Sequence, residues 1–339
     1  MKHYPLKHIP AARRRFSQGF SLIELLVAIG LGIVLMAGLA VVFANSSHTG
    51  AEVEKSIRQI ENGRYAAELL GEDLNHAGYY GDLTPTGLVF VTAAPCAASL
   101  ASLGWNNAST QAPVALQGLT AAEAAALSCL TNHKAGTPAV AIRKVESAAI
   151  VHTSIVAGNA YVQTSRCVSD PSTTNFILSS TAGDFVLQNQ ACSSKNTVRR
   201  YMTRIYYVAS CDDCAVDTVP TLKRVEISGS NVVIKPVAEG IDDIAFDYAF
   251  DTDGDGTVDV YQLGLNAAVA AANTWANVVG VRIHLLSRTS DPSTGFTDGR
   301  TYDLGLAGTR GPFTDGHKRR SYTVSARLNN VAGPREVQP

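Results

Sequence analysis

Catalytic signatures are what this 339-residue sequence lacks. Its eight histidines (His3, His8, His48, His76, His133, His152, His284 and His317) form no HExxH. Neither a G-x-S-x-G elbow nor a Gly-rich phosphate loop occurs. The usual sequence grounds for a zinc hydrolase, a serine hydrolase or a nucleotidase are therefore missing, and the chain is expected not to be an enzyme. A basic surplus is missing too. With 28 Lys+Arg against 29 Asp+Glu the formal net charge is −1, so no clustered positive field invites nucleic acid, and no such partner is expected. The basic triplet Lys318-Arg319-Arg320 reads as solvated surface, and His284, set in an apolar strand, as a structural residue.

Charge of either sign is scarce, at 17% of residues, and unevenly placed. The first 19 residues hold five basic groups (Lys2, Lys7, Arg13, Arg14 and Arg15) and no acid, so removing them would take the net charge from −1 to −6. Cysteine is absent from the first 90 residues and then appears six times, at Cys96, Cys129, Cys167, Cys192, Cys211 and Cys214. An even count in an exported region favours disulfides over metal thiolates. Neighbours in sequence suggest 96–129, 167–192 and 211–214, although six cysteines allow 15 pairings. The Cys211-Asp212-Asp213-Cys214 run is also compatible with a redox or zinc half-site, but it has no second CxxC to complete it.

One long apolar run is present. From Phe20 to Ala44 the sequence reads FSLIELLVAIGLGIVLMAGLAVVFA, with Glu24 its one charge. At helical rise about 20 residues cross a bilayer core, so the run is long enough. Basic residues before it and none just after it predict a cytoplasmic N-terminus and an exported remainder. A cleaved secretory signal would have a shorter apolar core ending in an A-x-A-like site. A plain anchor would have no use for Glu24, because a carboxylate inside a membrane helix costs roughly 2.5–3.5 kcal/mol at its centre.

The stretch Arg15-Phe16-Ser17-Gln18-Gly19-Phe20-Ser21-Leu22-Ile23-Glu24-Leu25-Leu26 resembles the class III signal of type IV prepilins. The resemblance implies that prepilin peptidase cuts between Gly19 and Phe20 and methylates Phe20. It also implies that Glu24 pairs with the terminal ammonium of a neighbouring subunit during assembly. Phe20 and Glu24, four residues apart, share a helix face. Major pilins usually carry a proline near the position of Val41. This chain has none there, and Gly30, Gly32 and Gly38 stand in the run instead, where small residues let membrane helices approach closely. That departure points to a minor subunit.

Asn45–Gly50 is polar and turn-prone. Beyond it Val53, Ile57, Ile60, Ala67, Leu70 and Leu74 recur at three- and four-residue steps, predicting an amphipathic helix whose stripe packs on the exported domain. Gly63 and Gly71 weaken that helix locally, by about 1 kcal/mol each relative to alanine. The segments Glu61-Asn62-Gly63-Arg64-Tyr65-Ala66-Ala67-Glu68-Leu69-Leu70, then Asp73-Leu74, and Ala77-Gly78-Tyr79-Tyr80-Gly81 resemble the PilW family of minor pilins. That resemblance returns at 241–288, around Trp275, and weakly at 318–330. Residues 82–240 show no matching motif.

Thr120-Ala121-Ala122-Glu123 has capping-box spacing before a short helix. Strand-like runs follow at 139–145, 184–187, 201–209, 222–227, 232–237, 244–250, 278–286 and 322–328, separated by Gly, Pro, Asn or Ser. The expected fold class is α+β and type IV pilin-like, with a long N-terminal helix packed on an antiparallel, sheet-rich head. The expected division is a basic leader (1–19), a transmembrane and filament-core helix (20–44), an amphipathic continuation (45–80) and a globular head (81–339).

Asp251-Thr252-Asp253-Gly254-Asp255-Gly256-Thr257-Val258-Asp259 places carboxylates at positions 1, 3, 5 and 9 and glycine at 6, as in a calcium loop. Asp251, Asp253 and Asp255 would offer side chains, Thr257 its carbonyl, and Asp259 a direct or water-bridged contact. The twelfth place is Gln262 rather than a bidentate glutamate. A β-flanked structural Ca²⁺ site of weak affinity, about 10⁻⁴–10⁻³ M, is expected; the bland alternative is an acidic surface turn.

Together these features predict a minor pilin that initiates or caps a type IV pilus and supports twitching and adhesion. It would be held in the inner membrane before assembly, with the other minor pilins, the major pilin, prepilin peptidase and the inner-membrane assembly platform as partners. Two rivals stay open: a J-type minor pseudopilin of type II secretion, and a membrane-anchored calcium-dependent binding protein.

Overall fold

The computed structural model describes residues 19–83, 87–106, 108, 110–170, 174–265 and 274–336. The basic residues of the leader lie outside that set. By compactness the chain divides into two units, meeting at Val53 and Glu54.

Helix α1 (Leu22–Asn75) is continuous over 54 residues. The polar Asn45–Gly50 stretch, read from sequence as turn-prone, is helical as well. Elongating a formed helix adds one hydrogen bond per residue fixed, so flanking helix carries six weak formers through. Thr49 Oγ1, which could have supported a turn, instead donates to Asn45 O one turn back at 2.8 Å.

Three strands, β1 (Val89–Val91), β2 (Gln111–Pro113) and β3 (Leu116–Leu119), follow the helix. A single helical turn, α2 (Ala121–Ala125), comes next. Its capping box is complete, with Thr120 Oγ1 accepting from Glu123 N and Glu123 Oε2 accepting from Thr120 N. Then come β4 (Ala139–Val145), β5 (Tyr161–Thr164), β6 (Phe176–Ser179) and the long β7 (Val198–Ala209). The strands β8 (Thr221–Ser228), β9 (Asn231–Glu239), β10 (Ile241–Phe250), β11 (Val260–Gln262) and β12 (Val278–Arg288) form the next group. The chain closes with β13 (Tyr302–Asp303), β14 (Thr309–Arg310), β15 (Arg319–Arg327) and helix α3 (Asn329–Glu336).

Among the described residues two large antiparallel sheets result, beside a parallel β1–β2 pair and an antiparallel β13–β14 pair. In the larger, β7 is the axis, with β4 along one side and β8 along the other, and its first residues pair with β5. The smaller has the order β11-β10-β12-β15. One apolar core serves both sheets. It joins Ala66, Leu70 and Leu74 of α1 to Ile142, Tyr206 and Leu222 of the first sheet and to Ile244, Phe246, Ile283 and Ala326 of the second. The second half of the helix is thus part of the head's core. Each fully buried leucine contributes about 1.5–3 kcal/mol of transfer free energy.

The predicted stripe is half right. Ala67, Leu70 and Leu74 are buried, but Val53, Ile57 and Ile60 are exposed. The buried face instead runs through Gln59, Gly63, Ala66 and Gly71. At Gly63 a Cβ would lie 2.7 Å from Tyr322 Cζ, so glycine here admits the ring of β15 against the helix backbone. The predicted strand at 184–187 is also absent: residues 182–184 form a 3₁₀ turn. Seven strands were legible. The missed β1, β2, β3, β5, β6, β11, β13 and β14 are two to four residues long, too short for their alternation to register.

Candidate functional site

The processing junction lies at the start of α1. Gly19 and Phe20 stand in non-helical, exposed backbone, with Phe20 at 83% exposure. Ser21 N donates to Glu24 Oε2 at 3.1 Å, and Leu25 N closes the first turn on Ser21 O. Glu24 therefore satisfies one of the free N–H groups of the helix start, a role that Ser21-x-x-Glu24 spacing could have announced. From Leu22 to Phe43 the large apolar side chains are all more than half exposed. This is the one described helix long and apolar enough to cross a membrane.

The helix-to-head junction is polar where the sequence pattern suggested only an apolar stripe. Asp73, on the buried face of α1 and 5% exposed, receives Lys144 Nζ at 2.7 Å and Arg204 Nη1 at 2.7 and 2.9 Å, and also the Tyr206 hydroxyl. Burial alone would raise its pKa. Arg204, Lys144 and Tyr206 outweigh burial and bring it down to about 2. Burial, together with the Asp73 charge, raises the Tyr206 phenol in turn. About three to four turns earlier on the helix, Gln59 Nε2 donates to Ser287 O and Lys318 O, and Asn62 Nδ2 to Glu239 O. These three polar residues fix the register of the helix on both sheets. Asn62 and Asp73 stand in the segments that resemble the PilW family, but neither they nor Gln59 was read from sequence as a contact of the helix with the sheets.

The basic triplet needs correcting. Arg319 is buried, with Nε on Asp242 Oδ2 at 2.8 Å and Nη1 on Asp315 Oδ1 at 2.8 Å; only Arg320 of the three is classed as exposed. His284 is structural as expected, its ring between Asp247 Oδ2 (3.0 Å) and Thr323 Oγ1 (3.2 Å). All six cysteines are disulfide-bonded, as 96–129, 167–192 and 211–214.

The aspartate loop joins β10 to β11, two strands rather than two helices. One carboxylate oxygen each from Asp251, Asp253 and Asp259 lie within 4.8 Å of one another, an arrangement able to hold a cation. Asp255 is outside the cluster and instead accepts from Thr257 N at 2.7 Å and Thr257 Oγ1 at 2.6 Å. Asp251 is fully buried and already engaged by Gly254 N (2.6 Å), Gly256 N (3.0 Å) and Arg335 Nη1 (2.7 Å). Burial works to raise its pKa, but Arg335 and those two amides pull it below the usual carboxylate value. Arg335 also donates to Ala276 O and Asn277 Oδ1, so the loop, the Trp275 turn and α3 are latched together. Gly256 (φ +84°) packs so closely on α3 that a Cβ would lie 2.7 Å from Ala332 O. Beside this latch a cleft of about 570 Å³ is lined by the Gly78–Gly81 turn, Phe90, Asn277, Asn330 and Arg335.

Comparison with known proteins gives two family matches. Residues 205–330 match the model for type IV pilus-assembly protein W, PilW. Residues 14–40 match the prokaryotic N-terminal methylation motif. No curated protein matches the chain. Among solved structures, a type IV-like pilin from Thermus thermophilus is similar at 13% identity, covering 81% of this chain and 98% of that one, with a TM-score of 0.35.

Proposed function

We propose, from the premise that this chain is a type IV pilin of the PilW family, that it is a minor pilin which starts or caps the pilus. The fold is structural rather than catalytic, and the methylation motif with its apolar helix fits a membrane-anchored subunit. In this reading the chain sits in the inner membrane with its N-terminus cytoplasmic and its head outside. Prepilin peptidase cuts after Gly19 and methylates Phe20. The assembly platform then withdraws the subunit, and the first half of α1 exchanges lipid for the helices of other minor pilins and the major pilin. The head selects those partners, and the assembled pilus serves twitching and adhesion.

One observation carries the proposal: an exposed Gly19–Phe20 junction leads directly into a long helix whose large apolar side chains, from Leu22 to Phe43, are all exposed. Deleting the gene and scoring two phenotypes tests it. Loss of surface pili and twitching with normal exoprotein release is the expected result. Normal pili with lost secretion would identify a J-type pseudopilin instead. An anchored binding protein would keep its localisation and activity after Gly19→Val.

The convergence of Asp251, Asp253 and Asp259 favours a second element, a structural Ca²⁺ bound at the β10–β11 loop to stiffen the head. These hard oxygens suit Ca²⁺, while Asp255 is turned aside and Arg335 already neutralises part of Asp251. Weak binding is expected, about 10⁻⁴–10⁻³ M. Calorimetric titration of the chelator-treated protein with Ca²⁺ checks it, with Asp253→Asn as the control; no heat of binding at millimolar Ca²⁺ would refute it.

A further inference from the structure

Arg143 on β4 is the largest side chain to be fully buried, at 1% exposure. Its Nη2 donates to Ala93 O and to Gln117 Oε1, each at 2.8 Å, and both acceptors are neutral. Among the described residues no carboxylate pairs with it. The internal residues outside that set include no Asp or Glu, so the sequence offers none there either. Arg143 Nη1 has no acceptor among the described residues. A guanidinium stays protonated at every working pH, and an uncompensated buried charge is among the costliest groups a fold can hold.

Two more buried donors lie alongside. The antiparallel register sets Arg143 opposite Thr203 and Val145 opposite Tyr201, so Arg143 and Tyr201 leave the same face as diagonal neighbours. The Tyr201 hydroxyl, in a residue 0% exposed, and the Trp105 indole Nε1, in one 7% exposed, also have no well-aligned acceptor among the described residues, the polar side chains beside the hydroxyl being Trp105 and Thr203. The Trp105 and Tyr201 rings meet edge to face at 5.6 Å, and Tyr80 and Phe176 wall Trp105 at 5.0 and 5.1 Å. Burial raises the Tyr201 pKa, keeping its hydroxyl protonated. Three inward donors, one of them cationic, have no acceptor among them beyond the single phenol oxygen.

We propose that Arg143 Nη1, the Tyr201 hydroxyl and the Trp105 Nε1–H hold one small monovalent anion of halide size. Such an ion supplies the missing counter-charge and accepts from all three donors, whereas a water would satisfy hydrogen bonds and leave the charge. Aromatic ring edges, which carry positive partial charge, suit an anion further. The site ties β4 and β7 to the Trp105 and Ala93 segments, in the part of the head outside the family match. It stands independently of the pilin reading.

The test uses the full chain in detergent, melted in sodium gluconate with increasing bromide at fixed ionic strength. For the wild type a saturable rise of about 2–4 °C is expected. Arg143→Met should abolish the bromide response. Because that variant could fail to fold, Tyr201→Phe and Trp105→Phe, which keep the rings and remove one donor each, should shift half-saturation several-fold upward. Equal melting in gluconate and bromide, the behaviour of a water-filled site, would overturn the proposal. So would a bromide response unchanged in both phenylalanine variants.

Discussion

The two halves of α1 are one helix under two sets of rules. From Leu22 to Ala44 it is apolar nearly all round and its large side chains are exposed; from Glu54 it mixes polar with apolar residues and is buried on one narrow face. The first half carries the methylation motif and, as far as Gly50, a single carboxylate, Glu24, at the helix start. The second carries Asp73 in the core with two cations and a phenol around it. A helix apolar on every side requires a partner other than water. The composition of the first half suits lipid or other helices, while the second half is part of the head's core.

Substitutions can break that contrast. The largest effect is expected from Asp73→Ala, which leaves Lys144 and Arg204 buried without their shared carboxylate. A loss of about 3–5 kcal/mol follows, read as a lowered denaturant midpoint of the head. Next is a matched pair, Leu70→Ala and Leu35→Ala. Leu70 is fully buried and should cost about 2–5 kcal/mol; Leu35, exposed, should leave the midpoint of the detergent-solubilised protein unchanged and impair incorporation into filaments instead. Equal stability losses at both would erase the division drawn here.

The smallest effect is on pH. Asp73 has a folded pKa of about 2 against an ordinary 3.8, so the unfolded chain binds its proton first. Its contribution to stability is complete above about pH 4 and fades as pH falls toward 2, amounting to about 2 kcal/mol. Acid titration of the wild type and Asp73→Asn tests this: the two stability curves should converge over that window.

Sequence revealed the first half of α1 far better than the second. Twenty-five residues with a lone Glu24 are unmistakable, and the cleavage pattern is local and linear. The packed half obeys contacts 71 to 259 residues away, such as Lys144 on Asp73 and Lys318 on Gln59, with Tyr322 on Gly63 and Ser287 on Gln59 among them. Its true face was therefore hidden behind Val53, Ile57 and Ile60, which keep helical spacing but stay exposed. Long strands with β-branched runs, such as β4 and β12, could be read directly. The three-residue strands could not. Likewise the aspartate loop was visible as a pattern, but Arg335, which neutralises Asp251 from 84 positions later, was not. Arg143 offered no signal at all: a single basic residue in a strand looks like surface until the strands on both sides are in place.

Intact-mass and N-terminal analysis of the protein recovered from membranes and from sheared pili tests the central claim most directly. The account predicts a chain that begins at Phe20 and carries one methyl group on its terminal amine, and that stays at full precursor mass when Gly19 is replaced by valine. A wild-type chain found intact from Met1, or cut within the apolar run, would contradict it.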